Sequence, residues 1–408
     1  GYYLVDEGAA AFANDLGYAP LPGERLRDAV LQHPTATYLG ALAGVTSGLV
    51  LAARRLSAPG RGAGGAALAA GLLALPASAL AKELVDRVLT RTLTPRVLPR
   101  LDLRDGIPPD LRTMVVVPTL LLTPDSVHTQ LAALEVLYLA NDDPHLHFAL
   151  LTDFADAPAA AMPEDDALLD VAVEGINTLN QRHGHDRFFL LHRARMWNEH
   201  ESSWMGWERK RGKLEEFNRL LGGDTETTFS TQIGDLSVLL QVRYVITLDA
   251  DTQLPRDAAH TLIGTLAHPL NRAAIDPTTQ RVVRGYGILQ PRVAIDLVSA
   301  TRSRFARLGA GNIGIDPYTT AVSDVYMDLF GEGIFAGKGI YDPQVLRTVL
   351  HGRFPDNTLL SHDLIEGVYA RAALLSDVEL FDSYPSTYAA AAARQHRWVR
   401  GDWQILTW

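Results

Sequence analysis

The sequence contains no cysteine. Disulfides, thiolate zinc sites and cysteine nucleophiles are therefore excluded, while the compartment stays undetermined. An excess of positive charge is missing too. The formal balance is −10, which argues against a general nucleic-acid surface. No methionine opens the chain, and no basic stretch leads into a cleavage site, so no signal peptide is read. Both ends read as cuts within a longer protein. No internal repeat or long low-complexity run is present.

Charge of either sign is absent from two long stretches. Thr35 to Ala53 carries none and ends at Arg54 and Arg55; Gly64 to Ala81 carries none and ends at Lys82. An apolar helix needs about 20 residues to cross a bilayer, so both runs qualify at the short end as a membrane hairpin. The alternative is a buried hairpin in a soluble core. Arg54, Arg55 and Arg61 lie on the loop side, while Arg25, Arg27, Lys82, Arg87 and Arg91 lie on the other. This balance slightly favours a cytoplasmic position for the large remainder. A helix is expected near Gly23 to Gln32.

What is present is a hydrophobic content of 47% over 408 residues, enough for one large domain or two. Arg100 to Pro109 reads as a linker, and after it the pattern turns α/β. Met114 to Val117, His147 to Leu151, Arg187 to Leu191 and Tyr244 to Leu248 are apolar runs of strand length. Helical spacing fills Pro124 to Tyr138, Asp165 to His183, Gly212 to Leu221 and Asp257 to Ala267. Strands alternating with helices imply a parallel sheet. Residues 192–212 read as a loop rich in tryptophan and charge.

The four strands end in polar residues: Pro118-Thr119, Asp153, the stretch after Leu191, and Asp249-Ala250-Asp251. In a parallel sheet those ends share one edge, where such folds bind ligands. Two carboxylates one residue apart suit a hard divalent cation whose shell is completed by a diphosphate. They also suit a helix cap. Lys213 at a helix start can reach a diphosphate or simply be solvated. Asp363 can cap a helix or act as general base. Arg394, Arg397 and Arg400 are interleaved with Trp398 and Trp403. Guanidinium forks grip phosphate and indoles stack on sugars, and the same segment fits a basic amphipathic helix on a membrane surface. Gly309-Ala310-Gly311-Asn312-Ile313-Gly314 matches a dinucleotide fingerprint but follows no strand, so it is rejected. His145 and His147 have no third ligand nearby, so a zinc site is not expected.

Together these elements resemble a processive family-2-type glycosyltransferase of the GT-A fold. The resemblance rests on Thr119, Asp153, Lys213 with Asn218, Asp249-Ala250-Asp251, Gln290-Pro291, Gly333 to Gly337, Asp363, and Arg394-x-x-Arg397-Trp398. Cellulose synthases share this order, but have a glutamate where this chain has His362 and a glutamine where it has Arg394. The segments His147 to Phe154, Trp204 to Glu216, Phe330 to Asp342 and His396 to Gln404 are more similar still to the cyclic β-1,2-glucan synthases, glycosyltransferase family 84.

That resemblance implies inverting, processive transfer of glucose from UDP-glucose to the 2-hydroxyl of a growing glucan, with Mg²⁺ or Mn²⁺. It implies metal binding by Asp251 and Asp249 and catalysis by Asp363. It implies nucleotide-sugar contacts from Thr119, Asp153, Lys213, Asp249, Arg394 and Arg397. Acceptor contacts are expected from His362, Trp398, Phe335 and Gly337. The expected organisation is a helical segment at 1–34, a transmembrane hairpin and linker at 35–99, a GT-A domain at 100–390 and an interface helix at 391–408. The expected location is a bacterial inner membrane with the catalytic domain cytoplasmic. The expected partners are the lipid bilayer and the further membrane and phosphorylase-like regions of the full-length enzyme. The competing readings are a β-1,3 or β-1,4 glucan synthase and a non-catalytic nucleotide-sugar-binding module.

Overall fold

The computed structural model describes residues 3, 8–56, 63–184, 187–310, 323–354, 359 and 362–406. The rejected glycine fingerprint, beyond Ala310, and Ser361 lie outside them. The chain divides into two compact units, Gly1–Arg96 with Ser323–Gly331, and Val97–Val322 with Glu332–Trp408.

The first unit is helical: α1 (Gly8–Asp15), α2 (Pro22–Gln32), α3 (Pro34–Leu56) and α4 (Ala63–Thr92). Pro22 and Pro34 open their helices, where a missing N–H costs nothing. Pro34–Arg55 and Leu68–Thr92 are each long and apolar enough to cross a membrane. Leu39, Leu51, Leu72 and Leu75 are exposed along them. One polar clasp joins the pair: the Tyr38 hydroxyl donates to Asp86 at 2.9 Å, and Lys82 pairs with the same carboxylate at 2.8 Å. A single π-helical turn at Tyr326–Phe330 packs Leu329 beside Leu93 and Val325. Asp328 fixes that turn by accepting from the Arg96 N–H at 2.8 Å and the Ser323 hydroxyl at 2.6 Å.

The second unit holds an α/β core. In chain order it contains β1 (Thr113–Leu121), α5 (Pro124–Ala140), β2 (Leu146–Phe154), α6 (Asp165–His183), β3 (Phe188–Arg193), β4 (Met196–Asn198) and β5 (Ser203–Met205). Then come α7 (Arg209–Leu221), β6 (Phe229–Ile233), β7 (Tyr244–Thr247), α8 (Ala258–Ala267), β8 (Ala274–Asp276), β9 (Arg281–Arg284) and β10 (Ile288–Ile295). The remainder is α9 (Leu297–Thr301), α10 (Arg304–Gly309), β11 (Gly339–Tyr341), α11 (Pro343–Leu350), α12 (Asp363–Ala370), β12 (Ala372–Asp382) and α13 (Tyr388–Ile405).

Eight strands form one sheet in the order β12-β10-β11-β7-β1-β2-β3-β6. The neighbours from β7 to β3 are parallel, as are β10 and β12; β11 and β6 run antiparallel to their neighbours. The expected α/β fold with a mostly parallel sheet and two apolar helices before it is thus observed. Because β1, β2 and β3 are buried on both faces, they read as continuous apolar runs. Pro118 does not end β1, which continues to Leu121. The segment read as a linker is packed: Leu103 and Ile107 are buried, and the Leu101 N–H donates to Gly264 at 2.9 Å.

Topology decides which residues meet. Since β11 runs opposite to β7, pairing Gly339 with Thr247 brings the start of β11 to the rim where β7 ends. Two reversals, at β10 and β11, return β12 to the direction of β7. The carboxyl ends of β1, β2, β3, β7 and β12 and the amino end of β11 therefore share one rim.

Candidate active site

Asp249 stands just past β7. Its carboxylate is paired with two ammonium groups: Lys210 of α7 on Oδ1 at 2.5 Å, and Lys338, just before β11, on Oδ2 at 3.2 Å. Burial pushes the Asp249 carboxyl up, but the two lysines outweigh it and hold it at about 2. Lys338 also pairs with Asp382, the last residue of β12, whose other oxygen accepts from the Thr252 hydroxyl at 2.6 Å. Asp251 is exposed; partial desolvation, with Asp382 and Asp249 beside it, pushes its carboxyl up. Three carboxylates and two ammonium groups thus crowd one corner of the rim.

The same Lys210 links this corner to α12. Its ammonium donates to the Gly337 carbonyl at 2.7 Å. Gly337 has φ +80°, and a Cβ there would lie 2.7 Å from Asp363 Oδ2. Only a residue without a side chain brings backbone that close in that conformation. Asp363 opens α12, and its Oδ1 is buried and makes no hydrogen bond to the described residues. Burial pushes the Asp363 carboxyl up, outweighing the opposite pull of His362 and Lys210. The His362 Nδ1 lies 3.4 Å from Asp363 Oδ1 and 2.9 Å from Glu366 Oε1. Burial lowers the imidazole's basicity, yet Glu366 and Asp363 outweigh it and raise it. Ligand atoms of His362, Asp363 and Glu366 fall within 4.8 Å of one another.

The third part of the rim is a buried ion network. Arg193 of β3 is fully buried and forks onto Asp153 of β2, with bonds of 2.8 and 3.0 Å. Lys213 of α7, also buried, reaches Asp153 Oδ2 at 2.9 Å and the Thr119 carbonyl at 2.6 Å. Arg193 lies 3.5 Å from Glu216, which accepts from the Thr228 N–H at 2.7 Å. Burial pushes the Asp153 carboxyl up, but Lys213 and Arg193 hold it below its ordinary value. Burial in turn dominates at Lys213, whose ammonium is made more acidic despite Asp153.

These residues are consecutive along one path. Lys210 and Lys213 are one turn apart on α7, so Asp153 and Thr119, Asp249, Gly337 and Asp363 are joined through that helix. Phe335 is in the core, and Gln290 supports the turn beside it by accepting from the Ala336 N–H at 2.8 Å. Arg394 stacks 4.9 Å from the Trp398 ring and 5.6 Å from Tyr384, with Arg397 exposed on the same helix. No hydrogen bond or ion pair among the described residues joins Arg394, Arg397 or Trp398 to the carboxylates. Lys210, Lys338, Arg193 and Asp382 are additions to the predicted set. The strand-length stretch Ala372 to Asp382 opens apolar and ends in an acid, a readable signal for Asp382 alone.

No protein-family model matches the chain. Solved structures align only loosely. Mannosyl-3-phosphoglycerate synthase from Rubrobacter xylanophilus is 14% identical, covering 71% of this chain and 72% of its own, at a TM-score of 0.31. The mannosyltransferase Ktr4p from S. cerevisiae is 11% identical over 74% of this chain and 81% of its own, at a TM-score of 0.29. Similarities this distant carry no functional argument. The sequence comparison is different in kind. The cyclic beta-(1,2)-glucan synthase NdvB of Rhizobium meliloti (strain 1021) is 49% identical over 339 residues, 82% of this chain. Those residues span 12% of that relative's length. Identity of that extent over that much of the chain means that the chain belongs to the cyclic β-(1,2)-glucan synthase family.

Proposed function

We propose that the chain is the GT-A glucosyltransferase segment of a membrane-bound cyclic β-1,2-glucan synthase. It would transfer glucose from UDP-glucose to the 2-hydroxyl of a growing glucan, with inversion and processively. The single observation that supports this best is the rim itself. A half-buried carboxylate, Asp363, whose Oδ1 faces His362 and makes no hydrogen bond to the described residues, lies one backbone turn from an acidic and cationic corner at Asp249.

Inverting transfer needs one base and no protein nucleophile. Desolvation makes the Asp363 carboxylate a stronger base than an exposed aspartate, suited to take the acceptor hydroxyl's proton. His362 and Glu366 hold each other and orient it. The leaving diphosphate gathers negative charge, and Lys210, Lys338, Arg394 and Arg397 are the cations for it. Thr119, Asp153 and Lys213 mark the nucleoside end. Asp153 would meet uridine only through an oxygen already shared with Arg193 or Lys213. Trp398 offers a face for the acceptor sugar. Phe335 acts from the core, by holding the Gly337 turn.

The all-oxygen chemistry of Asp249, Asp251 and Asp382 suits Mg²⁺ or Mn²⁺, with Asp249 and Asp382 engaged by Lys210, Lys338 and Thr252 in its place, and with desolvation and the neighbouring Asp382 and Asp249 pushing the Asp251 carboxyl up. When bound there it would polarise the diphosphate oxygens as a Lewis acid. In this reading residues 35–99 anchor the 100–390 transferase body to the bilayer and 391–408 lies at its surface. Further membrane and phosphorylase-like regions would complete the enzyme.

The test is incorporation of labelled glucose from UDP-glucose by the membrane-embedded chain, followed by linkage analysis. A β-1,2 polymer is expected. A β-1,3 or β-1,4 product would overturn the acceptor assignment, and failure to bind UDP would overturn the donor assignment. Asp363→Asn is expected to abolish transfer and to keep UDP binding. Wild-type turnover in that variant would remove Asp363 as the base.

A further inference from the structure

We propose that Lys338 is a resident counter-cation at the Asp249 corner. Its ammonium stands where a divalent ion's charge would act, so that ion and lysine compete, and donor diphosphate relieves the competition. The inference rests on the metal–diphosphate reading above and adds to it a residue that makes ion binding conditional on donor.

The geometry carries it. Lys338 is nearly buried and touches two carboxylates from strands far apart in sequence, Asp249 at 3.2 Å and Asp382 closer still. Lys210 takes the other oxygen of Asp249 at 2.5 Å. Every oxygen of Asp249 therefore faces an ammonium, and Asp382 divides its own between Lys338 and Thr252. An ion approaching Asp249 and Asp251 meets cations already in place.

Charge accounting gives the coupling its sign. Three carboxylates, Asp249, Asp251 and Asp382, face two ammonium groups, Lys210 and Lys338, for a net −1 (−3 + 2). A divalent ion alone would turn the corner positive. An ion with a nucleoside diphosphate sugar, one negative charge on each phosphoryl group, restores the starting value. At this separation and shielding, one unit of charge weighs heavily on the binding of another.

Mn²⁺ binding to the full chain in detergent, measured by electron paramagnetic resonance with and without UDP, tests this apart from activity. The intact chain is expected to bind Mn²⁺ weakly alone and about tenfold or more tightly with UDP. Lys338→Met is expected to bind Mn²⁺ alone about tenfold more tightly than the intact chain, with the UDP effect reduced. Lys338→Arg keeps the charge and is expected to behave as the intact chain. Lys338→Gln replaces the methionine variant if a thermal melt shows that variant unfolded. Equal Mn²⁺ affinities in the neutral variant and the intact chain would overturn the counter-cation while leaving the metal site standing. Absence of Mn²⁺ binding in every variant, with UDP present, would overturn the metal reading itself and this inference with it.

Discussion

At the scale of single residues, one glycine shapes the site and one histidine bears on stability. Gly337 is held at φ +80° with its α-carbon against the Asp363 carboxylate. Gly337→Ala is strained in backbone and forces a methyl 2.7 Å from Asp363 Oδ2, so the carboxylate must move. The expected result is a fall in kcat of about a hundredfold with the apparent donor KM little changed, because displacement of the proposed base by an ångström is felt mainly in the chemical step. An equal loss in donor binding would instead tie Gly337 to the nucleotide. His192 of β3 is buried beside Phe154, its Nδ1 2.9 Å from the Thr152 hydroxyl. Burial pushes it down to about 4. The unfolded chain therefore takes up this proton first as pH falls. The stabilisation from a neutral His192 is whole above about 6.5, is lost as pH falls towards 4, and amounts to about 3 kcal/mol. His260, raised by its bond to Asp143, has the opposite sign and loses its contribution as pH rises through its folded value. Thermal melts across pH 4–7 on the chain and on His192→Gln should differ by that His192 slope. Parallel curves would show that His192 is not the titrating group.

At the scale of elements, α7 is held to the sheet by charge as much as by apolar packing. Lys213 reaches β1 and β2, Glu216 approaches Arg193 of β3, and Lys210 reaches past β7. Replacing Arg193 with leucine leaves Asp153 and Glu216 short of a cation while buried, at a cost of about 3–5 kcal/mol. Urea unfolding of Arg193→Leu should show the midpoint fall, and adding Glu216→Gln should recover part of it. A double variant as unstable as the sum of the singles would mean the two groups do not interact. This network also marks where the sequence stopped being readable. The strands of the parallel core are continuous apolar runs, and α6 was expected at the residues it occupies, so the rim and its Asp-x-Asp were legible. The hairpin β4–β5 falls in a stretch whose sequence reads as loop, because three-residue strands have no periodicity to detect. Its Trp197 and Trp204 rings, 6.0 Å apart, pair across that hairpin. Lys213 stood out at a helix start, yet α7 begins at Arg209, a turn earlier, and it is Lys210 that meets Asp249. Residues three apart share a helix face, so spacing alone does not decide which one reaches the rim. Asp382 and Lys338 meet because of two strand reversals, information carried by topology and by no local pattern.

At the scale of the whole molecule, the question is which side of a bilayer holds the rim. The helices α3 and α4 place residues 57–62 between two apolar spans. If both spans cross, the residues before α3 and everything after α4 lie on one side, and the connection lies on the other. The basic residues decide the side only by a small margin, because Arg54 and Arg55 oppose Lys82, Arg87 and Arg91. The proposed donor, a sugar nucleotide from the cytoplasm, would require the rim to face inward. Because the chain has no cysteine, a single introduced thiol is the sole site for a membrane-impermeant maleimide. Thr278→Cys, in the exposed turn between β8 and β9, should be labelled only after cells are permeabilised. Ser57→Cys, in the connection between the spans, should be labelled in intact spheroplasts. Labelling of both thiols from outside would mean that the pair lies on the surface rather than across it. The reverse pattern would put the rim on the side without donor, and the transferase reading would then lose its substrate.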